Sequence, residues 1–502
     1  MRANFWLTRK WLFVFSLLFL GAMEARAEVQ LSDTFSVTGF LRHQLAVHTG
    51  EKNPNNVNQT DRNSINLSRS FFQTEWTYLP NNNFKLYSKV KLISDQTEAL
   101  DGNLHEYNAF PLATPRYGTY LRATDDKDLN AEMSEIYADV SLGNLWVRLG
   151  KQQIVWGEMI SARILDVINP LDLSWHARFE PEEFENIRMP QWAVRARYDV
   201  PQEMMPSRWL KDVYVEGFVN PGDISPDIAP ALGSPFGRKP PPPQFQVREK
   251  DRTGDVEYGF RIGGGVGQFA GTLNYFSVYS DTGYWESSKA PLKPGPPSPA
   301  NPFPTVNKYP RTDLYGLSLS YAFDYPIDTT VSYEAIYSPD QPYYDMTLDN
   351  TVTGRAGTPH IVYKETLSHA INISRKTFVL PAPESAMSIQ FQFSQTLVKD
   401  NEQVKFTPAL FDKDTNSIDS AQNVIALILS QDLWHNNINL SLKVLYDLDD
   451  AHQITPGFKY KYGDHWIFDI YAPFIGGAEN RAGRFGASYW ADEVFGRVTY
   501  QF

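Results

Sequence analysis

A two-residue repeat of apolar and polar side chains, returning in many short segments, is the feature that most constrains this chain. In the segment 437–446 the two alternating sets are Ile438, Leu440, Leu442, Val444 and Tyr446 against Asn437, Asn439, Ser441 and Lys443. Neighbouring side chains of a β-strand point to opposite faces, so this period predicts a strand with one apolar and one polar face. Repeated strands of this kind are typical of a wall between lipid and water.

The spacing of these segments predicts a closed barrel. Strands are predicted near residues 34–48, 65–79, 84–95, 131–142, 145–156, 188–200, 212–220, 257–267, 268–280, 312–323, 328–338, 361–375, 386–398, 421–432, 436–447, 451–462, 465–474 and 488–502. Their connections alternate between short and long along most of the chain, as outer-membrane barrels require for periplasmic turns and external loops. We therefore predict an all-β fold, a transmembrane antiparallel β-barrel of about 18 strands, within a range of roughly 14 to 18.

Composition agrees with a barrel and excludes several other classes of protein. Aromatic residues make up 14% of the chain, as expected where aromatic girdles lie at both membrane interfaces. The formal net charge of -12 argues against a nucleic-acid partner. The chain contains no cysteine, which excludes disulfides, thiolate metal ligands and a lipoprotein anchor. Neither a metal site nor a cofactor is predicted.

The N-terminus has the pattern of a secretory signal peptide. Arg2, Arg9 and Lys10 precede the apolar run 11–21, and Ala25-Arg26-Ala27 supplies small residues around a cleavage site. The run is too short for a membrane-spanning helix, which needs about 20 apolar residues. We expect residues 1–27 to be cleaved on export, which leaves residues 28–502 as a single outer-membrane barrel domain.

The C-terminal segment alternates as well and ends on an aromatic residue. Val494, Gly496, Val498, Tyr500 and Phe502 share one face of the predicted strand. A terminal Phe with apolar or aromatic residues at every second position is similar to the signal that the outer-membrane assembly machinery recognises. We therefore predict Tyr500 and Phe502 as a membrane-assembly signal, with that machinery and outer-membrane lipid as partners.

One predicted strand is followed by a stretch with a different period. Leu145, Val147 and Leu149 alternate as in a strand, but after Trp156-Gly157 the apolar spacing becomes helical. The residues with helical spacing are Met159, Ile160, Arg163, Ile164, Val167 and Ile168, and Asn169-Pro170 ends the pattern. We predict a short helix over 159–168 in the third external loop, 157–187, and expect this apolar loop to fold into the barrel as a constriction.

Charged residues around this loop permit two interpretations. Arg148, Arg195 and Arg197 are predicted to point inward from neighbouring strands, while the loop carries Glu158, Asp166 and Asp172. Arginines facing carboxylates across a pore would set a transverse field for polar or amphipathic solutes. Alternatively, arginine–carboxylate pairs hold the loop in place as a structural network. The residues alone do not decide between the two.

The same stretch carries a family resemblance. The sequences RLGKQQIVWGE and RILDVINPLD, within residues 148–172, resemble domain-of-unknown-function family 1302, a group of Gram-negative outer-membrane barrels. Its signature is a Gly-Arg-Gln…Trp-Gly-Glu strand followed by Asn-Pro-Leu/Val-Asp, and here Lys151 stands where Arg is usual. The resemblance implies an envelope channel or transport accessory working with a periplasmic lipid-binding-type protein and a resistance-nodulation-type exporter of hydrophobic compounds. It implies no catalytic residues.

From these observations we expect a channel or transport component for hydrophobic or amphipathic small molecules, and not an enzyme. A surface adhesion or structural barrel is one alternative, and an outer-membrane lipid hydrolase is another. Against the hydrolase, no nucleophile motif or metal-spaced histidine pair occurs in the sequence. Ser368 and His369 are adjacent on a predicted strand and would therefore face opposite sides.

Overall fold

The computed structural model of the protein describes residues 29–51, 64–100, 121, 129–172, 184–205, 207–221, 246–248, 256–280, 284–287, 305–345, 360–378, 385–401, 404–405, 421–448, 451–477 and 489–502. The predicted signal peptide, residues 1–27, lies outside these residues and stays a prediction.

The described chain forms one wall of antiparallel strands, numbered β1 to β18 here in chain order. They are Phe35–His48, Ile65–Asn81, Phe84–Asp95, Leu129–Leu142, Leu145–Gln152, Gln191–Asp199, Leu210–Asn220, Glu257–Val266, Phe269–Tyr279, Arg311–Phe323, Thr329–Asp345, His360–Thr377, Met387–Val398, Ala421–Leu433, Ile438–Asp447, Ala451–Tyr462, Trp466–Tyr471 and Glu493–Gln501. After a break, Phe474–Gly477 continues β17 along β16. Each strand corresponds to one predicted segment, so the prediction of strands from the two-residue period is confirmed.

The wall closes on itself between its first and last strands. β1 pairs with β18 in antiparallel register from Phe40 opposite Gln501 to His48 opposite Glu493. Closure removes the exposed strand edges that an open sheet would leave to pair with other chains. The predicted antiparallel barrel is therefore confirmed, and the strand number is 18.

Regular structure outside the wall is short. Val29–Ser32 pairs with β1, Val404–Lys405 pairs with the end of β11, and three further strands form a separate small sheet, Gln246–Arg248, Tyr284–Ser287 and Thr305–Lys308. The described helices are the four-residue turns Thr97–Leu100 and Phe184–Ile187 and the 3-10 turn Gln202–Met204. In the part of the chain that the structure describes, no helix has the length and apolar character needed to cross a membrane.

The two faces of the wall differ as the sequence pattern predicts. Large apolar side chains such as Leu273, which is 65% exposed, cover the outer face. Tyr275, Tyr315 and Tyr337 stand side by side across β9 to β11, with neighbouring ring centroids 5.5 and 6.4 Å apart. An apolar surface of this extent with aromatic rows is that of a protein surrounded by lipid.

β5 and β6 position the long connection between them. β5 ends at Gln152 and β6 begins at Gln191, and the residues next to both ends are described, 153–172 and 184–190. Gly150, just before β5 ends, has a φ of +134°, and a Cβ there would clash with the Ile136 carbonyl oxygen. Glycine at this position permits the positive φ inside the paired strand, two residues before the pairing of β5 with β6 ends.

Candidate functional site

Residues 153–172, called the inner segment below, contain no regular helix or strand, and Leu171 forms an isolated β-bridge with Arg188. The helix predicted over 159–168 is therefore wrong: the four-residue helix of this connection lies later, at Phe184–Ile187. The reason is that backbone N–H groups of the segment bond to wall side chains instead of to carbonyl groups four residues earlier. The rest of the predicted loop, residues 173–183, lies outside the described residues.

Two inward-facing wall residues accept hydrogen bonds from the backbone of the inner segment. The Glu334 carboxylate accepts from Glu158 N and from Leu165 N, the latter at 3.3 Å. Gln392 Oε1 accepts from Ile160 N at 3.1 Å and from Ser161 N at 3.3 Å. Glu334 is on β11 and Gln392 is on β13, whereas the segment leaves the wall at β5. The segment therefore contacts wall strands that are far from its origin around the barrel.

Asn169 joins the beginning of the inner segment to its end. Its Oδ1 accepts from Ile154 N at 2.8 Å, and its Nδ2 donates to the Met189 carbonyl at 2.9 Å. Beside it, Gln191 Nε2 donates to the Ile168 carbonyl at 2.6 Å. A carboxamide can accept and donate hydrogen bonds at once, so one Asn side chain can connect two segments of backbone. The sequence predicts only that Asn169-Pro170 ends a helix. It does not predict that the Asn169 side chain connects the two ends of the segment.

The apolar residues of the inner segment pack on the inner wall. Trp156, Ile164, Leu165 and Ile168 are 5% exposed or less, and they share a cluster with wall side chains from six strands: Ala193, Phe218, Phe276, Val278, Leu314, Ile336 and Ala370. Full burial of one such aliphatic side chain contributes about 1.5–3 kcal/mol. The apolar period of the segment thus reflects burial against the wall and not a helix face.

One wall glycine makes room for this packing. A Cβ at Gly316, on β10, would lie 2.5 Å from Leu165 Cδ2. Leu165 is completely buried, so it has no free direction in which to move. A larger residue at position 316 would displace either the leucine or the wall.

The predicted inward arginines find carboxylate partners on the wall. Arg148 donates two hydrogen bonds to Asp139, at 2.6 and 2.9 Å, and its guanidinium lies 3.8 Å from the Tyr137 ring centroid. Arg197 donates to Asp199 at 2.8 Å in a largely exposed pair. These charges are therefore compensated within the wall.

Glu216 is the centre of a buried ion cluster. Arg195 Nε donates to its Oε1 at 2.6 Å, and Arg261 Nη2 donates to its Oε2 at 2.9 Å. Trp156 Nε1 donates to the same carboxylate at 3.0 Å, which links the cluster to the inner segment. Glu216 is 1% exposed, so a carboxylate there requires such partners. The sequence interpretation missed Glu216 and Arg261; their inward position in alternating strands was the available signal.

The acidic residues of the inner segment lie apart from those arginines. Asp166 accepts from Arg163 at 3.2 Å and from Arg188 at 2.8 Å, so it is paired within its own connection. Asp172 is buried, and its N–H donates to the Ile187 carbonyl at 2.7 Å. The Glu158 side chain is exposed. Among the described residues, no contact pairs these three acids with Arg148, Arg195 or Arg197, and a transverse field between the two sets stays a prediction.

The later part of the connection is bound to β3 through Lys89. Lys89 Nζ donates to Glu185 Oε1 at 2.6 Å and lies 3.4 and 3.5 Å from Glu135 and Glu75. Gln153 Nε2 donates to the Glu185 carbonyl at 2.8 Å. Burial by itself would raise the pKa of Glu185, but the hydrogen bond and positive charge of Lys89 hold that pKa below its usual value.

Tyr500 and Phe502 lie at the seam where the barrel closes. Phe502 N donates to the Gly39 carbonyl at 2.9 Å, and its ring stacks on Phe72 with centroids 6.2 Å apart. The Tyr500 ring lies 5.0 Å from that of Trp466. Both residues therefore extend the pairing of β18 with its neighbours. Their role as an assembly signal stays a prediction.

Ser368 and His369 have separate partners. Ser368 Oγ is 3.0 Å from Thr396 Oγ1, and His369 Nε2 is 3.0 Å from Gln395 Oε1. They do not hydrogen-bond to each other in the described structure, as expected for adjacent residues of a strand.

A closed 18-strand antiparallel wall with an apolar outer face defines the class of outer-membrane β-barrel proteins. Within that class, the chain belongs to the family described as Protein of unknown function (DUF1302), which matches residues 20–502. The resemblance found in residues 148–172 is therefore confirmed over nearly the whole chain.

Solved structures with a similar fold include OccAB3 of Acinetobacter baumannii, with a TM-score of 0.50 and 7% identity over 93% of this chain and 99% of that one. OccD3 (OpdP) of Pseudomonas aeruginosa has a TM-score of 0.45 and 9% identity, covering 95% and 93%. Wzi of Escherichia coli, an outer membrane protein involved in group 1 capsule assembly and a carbohydrate-binding β-barrel, has a TM-score of 0.45 and 7% identity, covering 92% and 84%. No curated protein matches the chain. At 7% identity, the likeness to OccAB3 shows the fold alone.

Proposed function

We propose that the protein is an outer-membrane channel for small molecules in which the inner segment narrows the lumen. The observation that carries this proposal is the pair of hydrogen bonds from Ile160 N and Ser161 N to Gln392. They connect a segment that leaves the wall at β5 with β13, which is far around the 18-strand wall. Chain that makes such contacts occupies part of the interior.

The size of the wall supports a passage beside the segment. Barrels of 16–18 strands enclose a space that wall side chains alone do not fill. The contacts that hold the inner segment in the described structure come from the stretch of wall between β4 and β13. We place the passage on the other side, between the segment and strands β14 to β18.

The proposed solute class is hydrophobic or amphipathic small molecules. Family membership supports it through the transport role that the resemblance implies. The tip of the inner segment supports it too, because an apolar residue, Ile160, is exposed there beside the exposed acid Glu158. A passage bordered by both kinds of side chain suits solutes that are themselves amphipathic.

Deletion of residues 159–168 tests the constriction. The deletion keeps the hydrogen bond between Ile154 and Asn169, which joins the two ends of the inner segment. It removes the residues that bond to Gln392. Single-channel conductance in planar bilayers should rise severalfold, with folding checked by circular dichroism of the purified barrel. Equal conductance of the deletion variant and the wild type would rule out the constriction.

The same preparation distinguishes a channel from the other functional classes. Liposomes that contain the wild-type barrel should swell in amphipathic solutes if it is a channel. A structural or adhesion barrel would give neither conductance nor swelling. A lipid hydrolase would release fatty acid from the liposomes, and we expect no such release.

We also propose that the barrel works with a periplasmic lipid-binding-type protein and a resistance-nodulation-type exporter. Membership of the family supports these partners through the association that the resemblance implies. Chemical crosslinking in intact envelopes followed by purification of the barrel should recover both, and recovery of neither would oppose the partnership.

A further inference from the structure

Several inward-facing cations of this barrel are compensated by carboxylates of the wall. Arg69 lies 2.8 Å from Asp95, and Arg497 lies 3.1 Å from Asp469. Lys443, on β15, is different. Among the described residues, no side chain or carbonyl group forms a hydrogen bond or an ion pair with it. Lys443 is thus a half-buried cation without a compensating partner among the described residues.

The strand register places Lys443 on the inner face. It lies opposite Ile428 on β14 and Thr455 on β16, while Leu440 and Tyr446 of its own strand are exposed on the outer face. Its position is two strands from Gln392, the residue that holds the tip of the inner segment. Neighbouring strands are about 4.8 Å apart, so the backbones of β13 and β15 are separated by roughly 10 Å.

Toward the outer end of the barrel, Lys443 is next to apolar residues of β14 and of its own strand, while β16 places the polar Thr455 and Gln453 beside it. Val424, Ala426 and Leu445 lie on the inner face of β14 and β15 and are less than 10% exposed. An ammonium group beside apolar side chains loses hydration, and a paired anion would restore part of that loss. A lysine that only reaches lumen water is the simpler alternative.

We propose that Lys443 binds the carboxylate of an amphipathic monoanion whose apolar part rests on the half-buried Ile428 and the exposed Ile160. The inference deepens the proposed channel function and rests on it for the passage beside the inner segment. The proposed binding site lies in that passage, on β14 and β15, away from Arg148, Arg195 and Arg197. The site selects for a negative charge joined to an apolar body.

Isothermal titration of the full-length barrel in detergent with 4-phenylbutyrate tests the site, with the neutral 4-phenylbutyramide as the reference ligand. Lys443→Met should weaken 4-phenylbutyrate binding by about tenfold or more, because a charge-assisted hydrogen bond is lost. Lys443→Arg should stay within about threefold of the wild type, since it keeps the charge. Binding of the amide should not depend on position 443.

Lys461→Met is the matched control, because Lys461 lies on the inner face at the other end of β16 and is exposed. If Lys443→Met and Lys461→Met lost the same affinity for 4-phenylbutyrate, the proposal would be overturned in favour of a general effect of charge. Absence of saturable 4-phenylbutyrate binding to the wild type would overturn it as well. Conductance of the wild type without ligand tests the channel function separately, so the two failures are distinguishable.

Discussion

Asn169 and Ile154 are joined by a 2.8 Å hydrogen bond from the Ile154 N–H to the Asn169 side-chain oxygen. The two residues are 15 positions apart in sequence, yet the bond makes them neighbours in space. Because the same carboxamide also donates to the Met189 carbonyl, one buried side chain fixes both the departure of the inner segment and its return. The contacts with β11 and β13 lie between these two points.

Asn169→Ala should loosen the place where the inner segment leaves and rejoins the wall. The change leaves the Ile154 N–H and the Met189 carbonyl without partners in a buried site, which costs about 1–3 kcal/mol for each group. We expect a lower free energy of unfolding in urea and more frequent current fluctuations in planar bilayers. Asn439→Ala is the control, since Asn439 also donates two hydrogen bonds but lies on β15, outside the segment. Equal current noise in both variants would contradict the assignment.

Gln392→Ala should release the tip of the inner segment. Ile160 N and Ser161 N lose their acceptor, so the segment has fewer bonds to the far wall. We expect a higher mean conductance with brief closures, measured on single channels. Gln390→Ala is the matched control, because Gln390 lies on the same strand two residues away, on the same inner face. A change of similar size in Gln390→Ala would show that Gln392 has no special role.

Gly316→Ala should destabilise the packing of Leu165. The new methyl group would lie at 2.5 Å from Leu165 Cδ2, and an overpacked core position costs typically about 1–3 kcal/mol. Leu165→Ala alone should cost about 2–5 kcal/mol through the cavity it leaves. The double variant should lose less than the sum of the two, as thermal unfolding can measure. Strict additivity would mean that the two side chains do not meet.

Glu216→Gln should lower the free energy of unfolding far more than a matched change on the surface. It leaves Arg195 and Arg261 without their carboxylate in a buried cluster, and breaking a buried ion pair costs about 3–5 kcal/mol. Asp199→Asn breaks the exposed pair with Arg197, which is worth about 0–1 kcal/mol. Urea unfolding of both variants gives the comparison, and similar losses in the two would refute the buried cluster.

Acid should detach the Phe184–Ile187 end of the connection. The pKa of Glu185 is lowered in the folded state by Lys89, so this contact contributes fully above the ordinary carboxyl pKa of about 4.3 and is lost as the pH falls through the lowered value. Hydrogen exchange of Phe184–Ile187 should therefore increase on acidification below about pH 4.3. In Lys89→Met the same exchange should already be raised at neutral pH and change little with acid.

The sequence alone determined the wall. Alternation within a segment such as 437–446 depends only on which face of a strand each residue occupies, so the two-residue period identifies β15 without knowledge of its neighbours. The pairing of strands that are joined by short turns followed from their spacing, because such turns make consecutive strands neighbours. The same alternation predicts that Arg148 and Arg195 lie on the inner face.

Only the tertiary structure decided the conformation of the inner segment. Its apolar spacing suits a helix and also suits an irregular chain lying on an apolar wall, and local sequence does not distinguish the two. The outcome depends on acceptors distant in sequence: Glu334 is 176 residues from Glu158, and Gln392 is 232 residues from Ile160. Backbone N–H groups that find such partners have no need of helical ones. The pairing of Arg195 with Glu216 was decided in the same way, because a carboxylate on a neighbouring strand, and not one on the loop, lay within reach.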